Sequence, residues 1–518
     1  MTDTTTAPPR ARRAGGRAAR HAMRAAALTD DVRPIRPGMT GGRFKVLEDK
    51  DLPVIYAAAL RVLDEIGLAD APQSGIDAMV KVGVKLGDDG RLRFPEHTID
   101  AAMATATRTL TVYGRDPKFD LDLTGQKVHF GTAGAAVNVV DGRTGAYRDS
   151  TLQDLHDAAR IVQQLDNVHF LQRPMVARDV TDNKQLDLNT LYACAAGTTK
   201  HIGTSYVEAS HVYASVDMLH LIAGGEDAWR ARPFISQSNC FVVPPMKFAT
   251  ESCEAMEAAI DIGMPVLLLS AGQAGATAPV TIAGAVVQAV AECLAGLVYV
   301  NAIKPGHPTI FGTWPFVSDL RTGAMSGGSG EQALLTAACA QMHTYLGLPG
   351  GAAAGIADSK LPDMQAGWEQ AISNVMAGLS GLNMVYESVG MHASLLGFCL
   401  ESLILGDDLL GQAMRCVRGV EVDESALAYE VMRSVCLEGP GHYLGSAETL
   451  DRMERDYVYP QLADRSSPGQ FVEKGSPNLV EQAAIRKEAI LNASSLGLID
   501  PATDAKIRAQ YDILLSIT

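Results

Sequence analysis

Short apolar runs alternate with longer helical patterns along most of this chain. The apolar run MPVLLLS ends at Ser270, and the stretch 280–303 that follows has the length and composition of a buried helix. The same order recurs, and the periodicity predicts further helices over 208–223, 248–262, 330–346, 362–379 and 394–416. Strands separated by helices indicate βα units built around a parallel sheet.

About eight strand-like runs precede these helices, which is the strand number of a (β/α)8 barrel. The predicted fold class is therefore α/β, a (β/α)8 TIM barrel with N-terminal and C-terminal additions. A doubly wound open sheet is the structural alternative. The chain lacks a GxGxxG motif after its first strand, which disfavours that alternative modestly.

The pattern divides the chain into three predicted segments. Residues 1–45 are basic and poor in large apolar residues, which is typical of a disordered tail. Residues 46–125 carry helices and short strands that we expect to pack on the barrel as an N-terminal elaboration. Residues 126–518 hold the barrel and its C-terminal helices.

Composition narrows the function classes. The formal net charge of −15 argues against nucleic acid as the main partner. The eight cysteines show no CxxC or metal-type spacing and are typical of reduced thiols in a cytoplasmic protein. Gln288, Glu292 and Asn301 interrupt the most apolar stretch, so we expect a buried helix there and no membrane span. A homo-oligomer is expected on base rates.

Polar and aromatic residues cluster at the predicted carboxyl ends of the strands, where a barrel of this class builds its active site. No Ser-His-Asp spacing, HExxH motif or phosphate-binding loop is present. A mixture of aromatic rings and carboxylates suits a small cation. Taken singly, each residue is better explained as a core, rim or helix-start residue. The candidate substrate-binding residues are Gln172, Tyr206, Glu208, Gln273, Trp314, Phe316, Asp358, Tyr386 and Glu387.

The segment SAGQAGATAPVTIAG, residues 270–284, joins the apolar run to the long helix. Two interpretations are open for its small residues. They allow tight packing of strand on helix, or they leave room for a ligand or another protein's cofactor to approach the backbone. The candidate residues for such an approach are Gly272, Gly275, Ala276 and Thr277.

Four stretches together resemble the trimethylamine methyltransferase family. They are HFGTAGAAVNVVDGRTGAYRDSTLQDLHDAARIVQQLDNV, AGATAPVTIAGAVVQAVAECLAGLVYVNAIKPGHPTIFGT, IADSKLPDMQAGWE and GLNMVYESVGM. The resemblance runs from about residue 45 to the C-terminus. It implies a barrel that moves a methyl group from a small quaternary or tertiary methylated amine to the cobalt of a corrinoid (cobalamin) carried by a partner protein.

The chain is written in the standard amino-acid alphabet, so it resembles the branch of the family without pyrrolysine, which includes glycine betaine and related quaternary amine demethylases. The resemblance implies that the partner protein docks over the small residues of the 270–284 loop. It assigns no metal to this chain, and the catalytic residues stay unknown.

Two departures from the family pattern bear on the substrate. Gly350 and Gly351 stand in the segment where the family often has an arginine that could pair with a substrate carboxylate, and Glu387 stands where the family commonly has a histidine. Both changes disfavour glycine betaine. Two other functions stay open: a ligand-binding or sensory protein for a quaternary ammonium compound, and a lyase that uses Glu387 as its base.

Overall fold

The computed structural model describes residues 32–439, 441–494 and 496–516. Most of the predicted basic tail, 1–45, therefore lies outside the described residues. The described part is a mixed α/β fold, as predicted, with eight successive parallel strands labelled here β1 to β8. They are Lys127–Phe130, Phe170–Gln172, His201–Thr204, Ile235–Cys240, Val266–Ser270, Thr309–Thr313, Gly351–Ala353 and Met384–Tyr386.

These strands pair in chain order. β2 to β6 form a five-stranded parallel sheet, and β1, β8 and β7 form a second sheet that the short antiparallel strand Met39–Thr40 extends. Single parallel bridges join the two sheets at both pairs of edges, Gly131 with Phe170 and Phe311 with Gly350. Gly131 lies one residue after β1, and Gly350 lies one residue before β7.

A helix or a set of helices follows every strand, as the hydrophobic periodicity predicts. The helices between β1 and β8 and after it are Leu152–Gln163, Asn183–Gly197, Ala209–Ala214, Val216–Ala223, Glu226–Ala231, Thr250–Asp261, Ile282–Ile303, Gly330–Leu346, Met364–Leu379 and Leu400–Arg418. The predicted helix start at 394 is wrong, because Ala393, Ser394 and Leu395 all have positive φ angles. This left-handed stretch links two short strands, Met391–His392 and Gly397–Phe398.

Among the described residues, the helix Ile282–Ile303 is the one with the length and apolar composition to cross a membrane. In its most apolar 18-residue window, a share of 78% is buried inside the protein. Its interrupting polar residues are satisfied internally. Glu292 accepts hydrogen bonds from the Ser270 hydroxyl at 2.5 Å, the Met246 backbone N–H at 2.8 Å and the Gln288 amide at 3.1 Å. These contacts bind the helix to the end of β5.

Contacts divide the described residues into a larger unit, within 37–421 and 459–516, and a smaller one, within 32–36 and 422–458. The larger unit holds all eight strands. It also contains the N-terminal helices Asp51–Glu65, Gln73–Lys81 and Glu96–Thr105, and the C-terminal helices Pro468–Glu473, Leu479–Asn492 and Pro501–Gln510. The smaller unit contains the helices Glu424–Leu427, Tyr429–Leu437 and Ala447–Arg452. The boundary at residue 125 stays a prediction.

Alternation along the strands gives each strand a helix-facing side and an opposite side, called here the inner face. Cross-strand register places His201 and Ser236 on the inner face, where the imidazole Nε2 and the hydroxyl lie 3.0 Å apart. Ser270 and Thr313 lie on the helix-facing side, where they bond to Glu292 and His343.

Glycines on the inner face leave room for large side chains from the adjacent strands. A Cβ atom on Gly131 would lie 2.4 Å from the ring of Phe170, and one on Gly351 would lie 2.7 Å from the ring of Tyr386. Both distances are shorter than any tolerated carbon contact, so the two rings occupy space that only glycine leaves free.

We predict that Gly131→Ala destabilises the protein by about 1–3 kcal/mol, because the Phe170 ring must leave its position. Chemical denaturation would measure the loss. Gly367→Ala is the matched control: no atom lies within 4 Å of its added methyl group, and alanine favours its helix by up to about 1 kcal/mol. Equal stability of Gly131→Ala and the wild type would contradict this account of the inner face.

Candidate functional site

Three aromatic rings lie together where the inner face reaches the carboxyl ends of the strands. The rings of Trp314 and Tyr386 have centroids 4.8 Å apart, and those of Phe170 and Tyr386 lie 5.0 Å apart with nearly perpendicular planes. Phe170 and Tyr386 are inner-face residues of β2 and β8, and Trp314 follows β6. Together they form one apolar wall that a cation could contact through ring faces.

Gln172 ends β2 beside this wall. Its side-chain oxygen lies over Gly203, where an added Cβ would come within 1.5 Å of it. The backbone carbonyl of Gln172 accepts a hydrogen bond from the Thr132 hydroxyl at 2.6 Å, which joins β2 to the loop after β1. The absence of a side chain at position 203 therefore sets the direction of this buried amide.

Glu387 follows β8 in a conformation that side chains rarely adopt. Its φ angle is +59°, and the next residue, Ser388, returns to the strands by donating to the Gly131 carbonyl at 3.0 Å. A left-handed non-glycine residue at a strand end is a strained arrangement of the kind found at functional sites. The regular backbone conformation of β8 therefore ends before Glu387.

The carboxyl group of Glu387 is almost completely buried, with 1% of the residue exposed. Among the described residues its Oε2 atom has no hydrogen-bond partner. Burial alone raises the pKa of Glu387 to about 8. A buried, unpartnered carboxyl at the end of a parallel strand is a candidate ligand-binding group.

Cys240 lies close to Glu387 at the end of β4. Cys240 is exposed. Burial, and then the nearby Glu387 and Glu292 carboxylates, raise the pKa of Cys240 to about 11. The ends of β4 and β8 therefore bring a thiol and a carboxyl within electrostatic reach of each other.

The indole N–H of Trp314 is a second polar group without a hydrogen-bond partner in the described part of the chain. Trp314 is 5% exposed, so its donor is shielded from bulk water. An indole of this kind usually finds a partner when buried. The aromatic wall therefore carries an unpartnered donor, and Glu387, the next residue after Tyr386, carries an unpartnered Oε2 atom.

A two-stranded parallel extension forms a rim above β5 and β6. Gln273 and Phe316 pair in register, and the Phe316 N–H donates to the Gly272 carbonyl at 2.8 Å. The turn from Gln273 to Ala278 closes on itself, because the N–H groups of Ala276, Thr277 and Ala278 all donate to the Gln273 carbonyl.

The small residues of this rim differ in their exposure. Gly275, Ala276 and Thr277 are exposed, and Gly272 is buried against Ala278 and Gln288. Gly275 has a φ angle of +90°, which strains any other residue at that position. Next to the rim lies a groove of about 480 Å³ between the loops that follow β5 and β6, lined on its exposed side by Leu320.

Three of the predicted substrate-binding residues have other surroundings. The Tyr206 hydroxyl lies 3.0 Å from the hydroxyl of Ser215 in the helical segment, and Glu208 is exposed at the start of the helix Ala209–Ala214. Asp358 anchors loops, because its carboxylate accepts from the Gly327 N–H at 2.8 Å and the Ser394 hydroxyl at 2.7 Å. Their roles toward a substrate stay predictions.

Sequence reasoning missed Phe170 and Cys240. Both were within reach, since the alternation that places Ser236 on the inner face places Cys240 there as well. Phe170 is two residues before Gln172 on the same face of β2. Their approach to Tyr386 and Glu387 joins distant strands, which a single-strand pattern does not reveal.

The described residues contain no group of three or more histidine, cysteine, aspartate or glutamate side chains that could hold a metal ion. His201, which sits on the inner face, bonds instead to the Tyr113 carbonyl and to Ser236. Burial lowers the pKa of His201 to about 4, so its imidazole is neutral at physiological pH.

Comparisons of the sequence with known proteins identify one family. Residues 13–512 match the family model of trimethylamine methyltransferase (MTTB). The chain is 27% identical to the glycine betaine methyltransferase of Desulfitobacterium hafniense strain Y51 over 470 residues, 90% of this chain and 96% of that one. It is 27% identical to the trimethylamine methyltransferase MttB of D. hafniense strain DSM 10664 / DCB-2 over 436 residues, 84% and 87% of the two chains.

A solved structure is also similar. The monomethylamine methyltransferase MtmB of Methanosarcina barkeri aligns with a TM-score of 0.45 at 11% identity, covering 85% of this chain and 98% of that one.

We predict that Glu387→Gln raises the thermal stability of the ligand-free protein at about pH 8.5 and changes it little at about pH 5. The folded state keeps the Glu387 proton between its ordinary pKa and about 8, whereas the unfolded state has lost it. Stability therefore falls as pH rises through this window, by an amount on the order of a few kcal/mol. Thermal unfolding at both pH values measures the difference.

The neighbours of Glu387 do not obscure this measurement. The Cys240 thiol keeps its proton to about pH 11, and burial also raises the pKa of the Tyr386 phenol far above its ordinary value. A glutamine variant whose advantage is the same at both pH values would contradict the raised pKa of Glu387.

Proposed function

The chain belongs to the trimethylamine methyltransferase family and is a methyltransferase, and we propose that it transfers a methyl group from a small methylated amine to the cobalt of a corrinoid on a partner protein. The observation that carries the proposal is the buried carboxyl of Glu387, whose Oε2 atom has no hydrogen-bond partner among the described residues. Glu387 directly follows Tyr386, whose ring packs against that of Trp314. This combination matches the charge and the diffuse apolar surface of a methylated ammonium group.

We further infer that β1 to β8 close into a (β/α)8 barrel. The chain-order pairing within each sheet and the two bridges between the sheets support closure. In a closed barrel the ends of β4 and β8 face each other, which agrees with the proximity of Cys240 and Glu387. The inferred substrate site then lies at the carboxyl end of the barrel, where enzymes of this fold place their chemistry.

In the proposed reaction, the main task of this chain is to bind and position the substrate. The reduced cobalt of the corrinoid supplies the nucleophile: a cobalt–carbon bond forms, the carbon–nitrogen bond breaks, and the electron pair stays on nitrogen. A quaternary nitrogen leaves as a neutral tertiary amine and needs no proton. The side chains of Trp314, Tyr386 and Glu387 hold the cation, direct one methyl group outward and exclude water from it.

We propose the rim of Ala276 and Thr277 as the surface over which the corrinoid approaches. These residues are exposed, small and close to the carboxyl ends of β5 and β6. A large planar macrocycle reaches a buried methyl group only where the rim is low. A cytoplasmic location and a homo-oligomeric state are parts of this proposal that follow from composition and fold class.

The test of this function is anaerobic incubation of the purified chain with reduced cobalamin and a panel of methylated amines. Transfer converts the cobalt(I) absorbance spectrum to that of methyl-cobalt(III), and the active amine identifies the substrate. A thermal shift with one amine but no spectral change, even with a corrinoid protein from the same source, would favour a binding protein over an enzyme.

We predict that Ala276→Trp lowers methyl transfer by at least about tenfold while the substrate affinity changes less than about twofold, because the indole blocks the rim and not the pocket. Position 276 is preferred over Gly275, whose positive φ angle would confound any substitution with strain. Ala57→Trp, on an exposed face of the helix Asp51–Glu65, is the matched control. Normal turnover in Ala276→Trp would remove the rim from the proposal.

A further inference from the structure

Glu387 is an acidic group without a positively charged partner among the described residues. Burial is the single cause that raises its pKa, whereas a lysine or arginine nearby would lower it. Arg173 directly follows β2, so it is the first arginine to consider as a partner of Glu387. The charges that act on its guanidinium belong to Asp187 and Cys194 of the helix Asn183–Gly197. In the described residues, no cation of the chain balances Glu387.

The missing positive charge fits a ligand that brings its own. A cation beside Glu387 favours the ionised carboxylate, which is the state that burial disfavours in the empty site. The groups at this edge of the strands are neutral: the Cys240 thiol, the phenol of Tyr386, which precedes Glu387 in the chain, and the Trp314 indole, which packs on the Tyr386 ring. The cation is therefore the only charge that this environment stabilises.

A ligand that also carries a negative charge is disfavoured at this site. In a betaine the carboxylate lies two bonds from the nitrogen, so it is held close to Glu387 whenever the nitrogen is. Two carboxylates in a site of low polarity repel strongly, and water does not screen them there. Among the described residues, no guanidinium or ammonium group acts on Glu387 that could offset that second carboxylate, and the unpartnered indole N–H of Trp314 is neutral.

We propose, resting on the proposed function, that this site selects trimethylammonium compounds whose fourth substituent is uncharged, such as a hydroxyethyl group, over those whose fourth substituent carries a carboxylate. Glu387 is the residue that sets this specificity. A hydroxyl group suits the remaining partner, because its oxygen accepts from the Trp314 N–H without adding charge.

Choline and glycine betaine are the discriminating pair, since they share the trimethylammonium group and differ in the hydroxymethyl or carboxylate end. Titration calorimetry of the full chain with each ligand, at one pH and one ionic strength, measures the ratio of affinities. We expect choline to bind at least about tenfold more tightly than glycine betaine. The uncharged isostere 3,3-dimethylbutan-1-ol should bind more weakly than choline.

Glu387→Gln separates the charge of this side chain from its shape. We expect this variant to lose at least about tenfold in choline affinity and to lose its preference for choline over glycine betaine. Glu251→Gln, on the exposed first turn of the helix Thr250–Asp261, is the matched control and should keep the wild-type ratio.

Three results would overturn the inference. Glycine betaine binding as tightly as choline would overturn it while leaving the proposed function intact, because a methylated amine still binds. A preference for choline that persists in Glu387→Gln would show that another group sets the specificity. Binding of neither ligand, with no methyl transfer from any amine in the cobalt assay, would overturn the proposed function and this inference with it.

Discussion

Close packing between the inner-face glycines and the rings of neighbouring strands is the constraint on which the site depends. Gly131 and Gly351 have no side chains, and the rings of Phe170 and Tyr386 on the neighbouring strands fill the space that they leave. The Tyr386 ring then supports Trp314 from one side and Phe170 from the other. The aromatic wall at the carboxyl ends is thus fixed by backbone positions that carry no side chain.

The sequence predicts the alternating strands and helices well, because hydrophobic periodicity is a local property of the chain. The helix Gly330–Leu346 has the predicted bounds, and the helix Ile282–Ile303 differs by two residues at its start. The region after β8 was not predictable in this way. Ala393, Ser394 and Leu395 adopt positive φ angles although none is glycine, so the chain gives no compositional sign of the turn.

The site was only partly predictable, for a related reason. Trp314, Tyr386 and Glu387 stand at strand ends in the sequence, and the structure brings the two rings into contact. Tyr206 has the same sequence context, yet its hydroxyl bonds to Ser215 on the helical side. Alternation fails beyond the last paired residue of a strand, and the loop geometry that then decides the direction of a side chain depends on contacts distant in sequence.

In the proposed site, Glu387 links the stability of the ligand-free protein to the binding of its ligand. An unpartnered carboxyl with an unfavourable backbone angle destabilises the folded state, and no packing contact in the described residues requires an acid at that position. The arrangement becomes favourable when a cation occupies the adjacent space, because the carboxylate and the ammonium group then stabilise each other's charge away from water. The cost of burying an unpaired carboxylate therefore opposes folding of the ligand-free protein, and relief of that cost by a cation favours binding. A neutral residue of similar shape would remove both effects together, which is why stability and selectivity are expected to change in opposite directions at this one position.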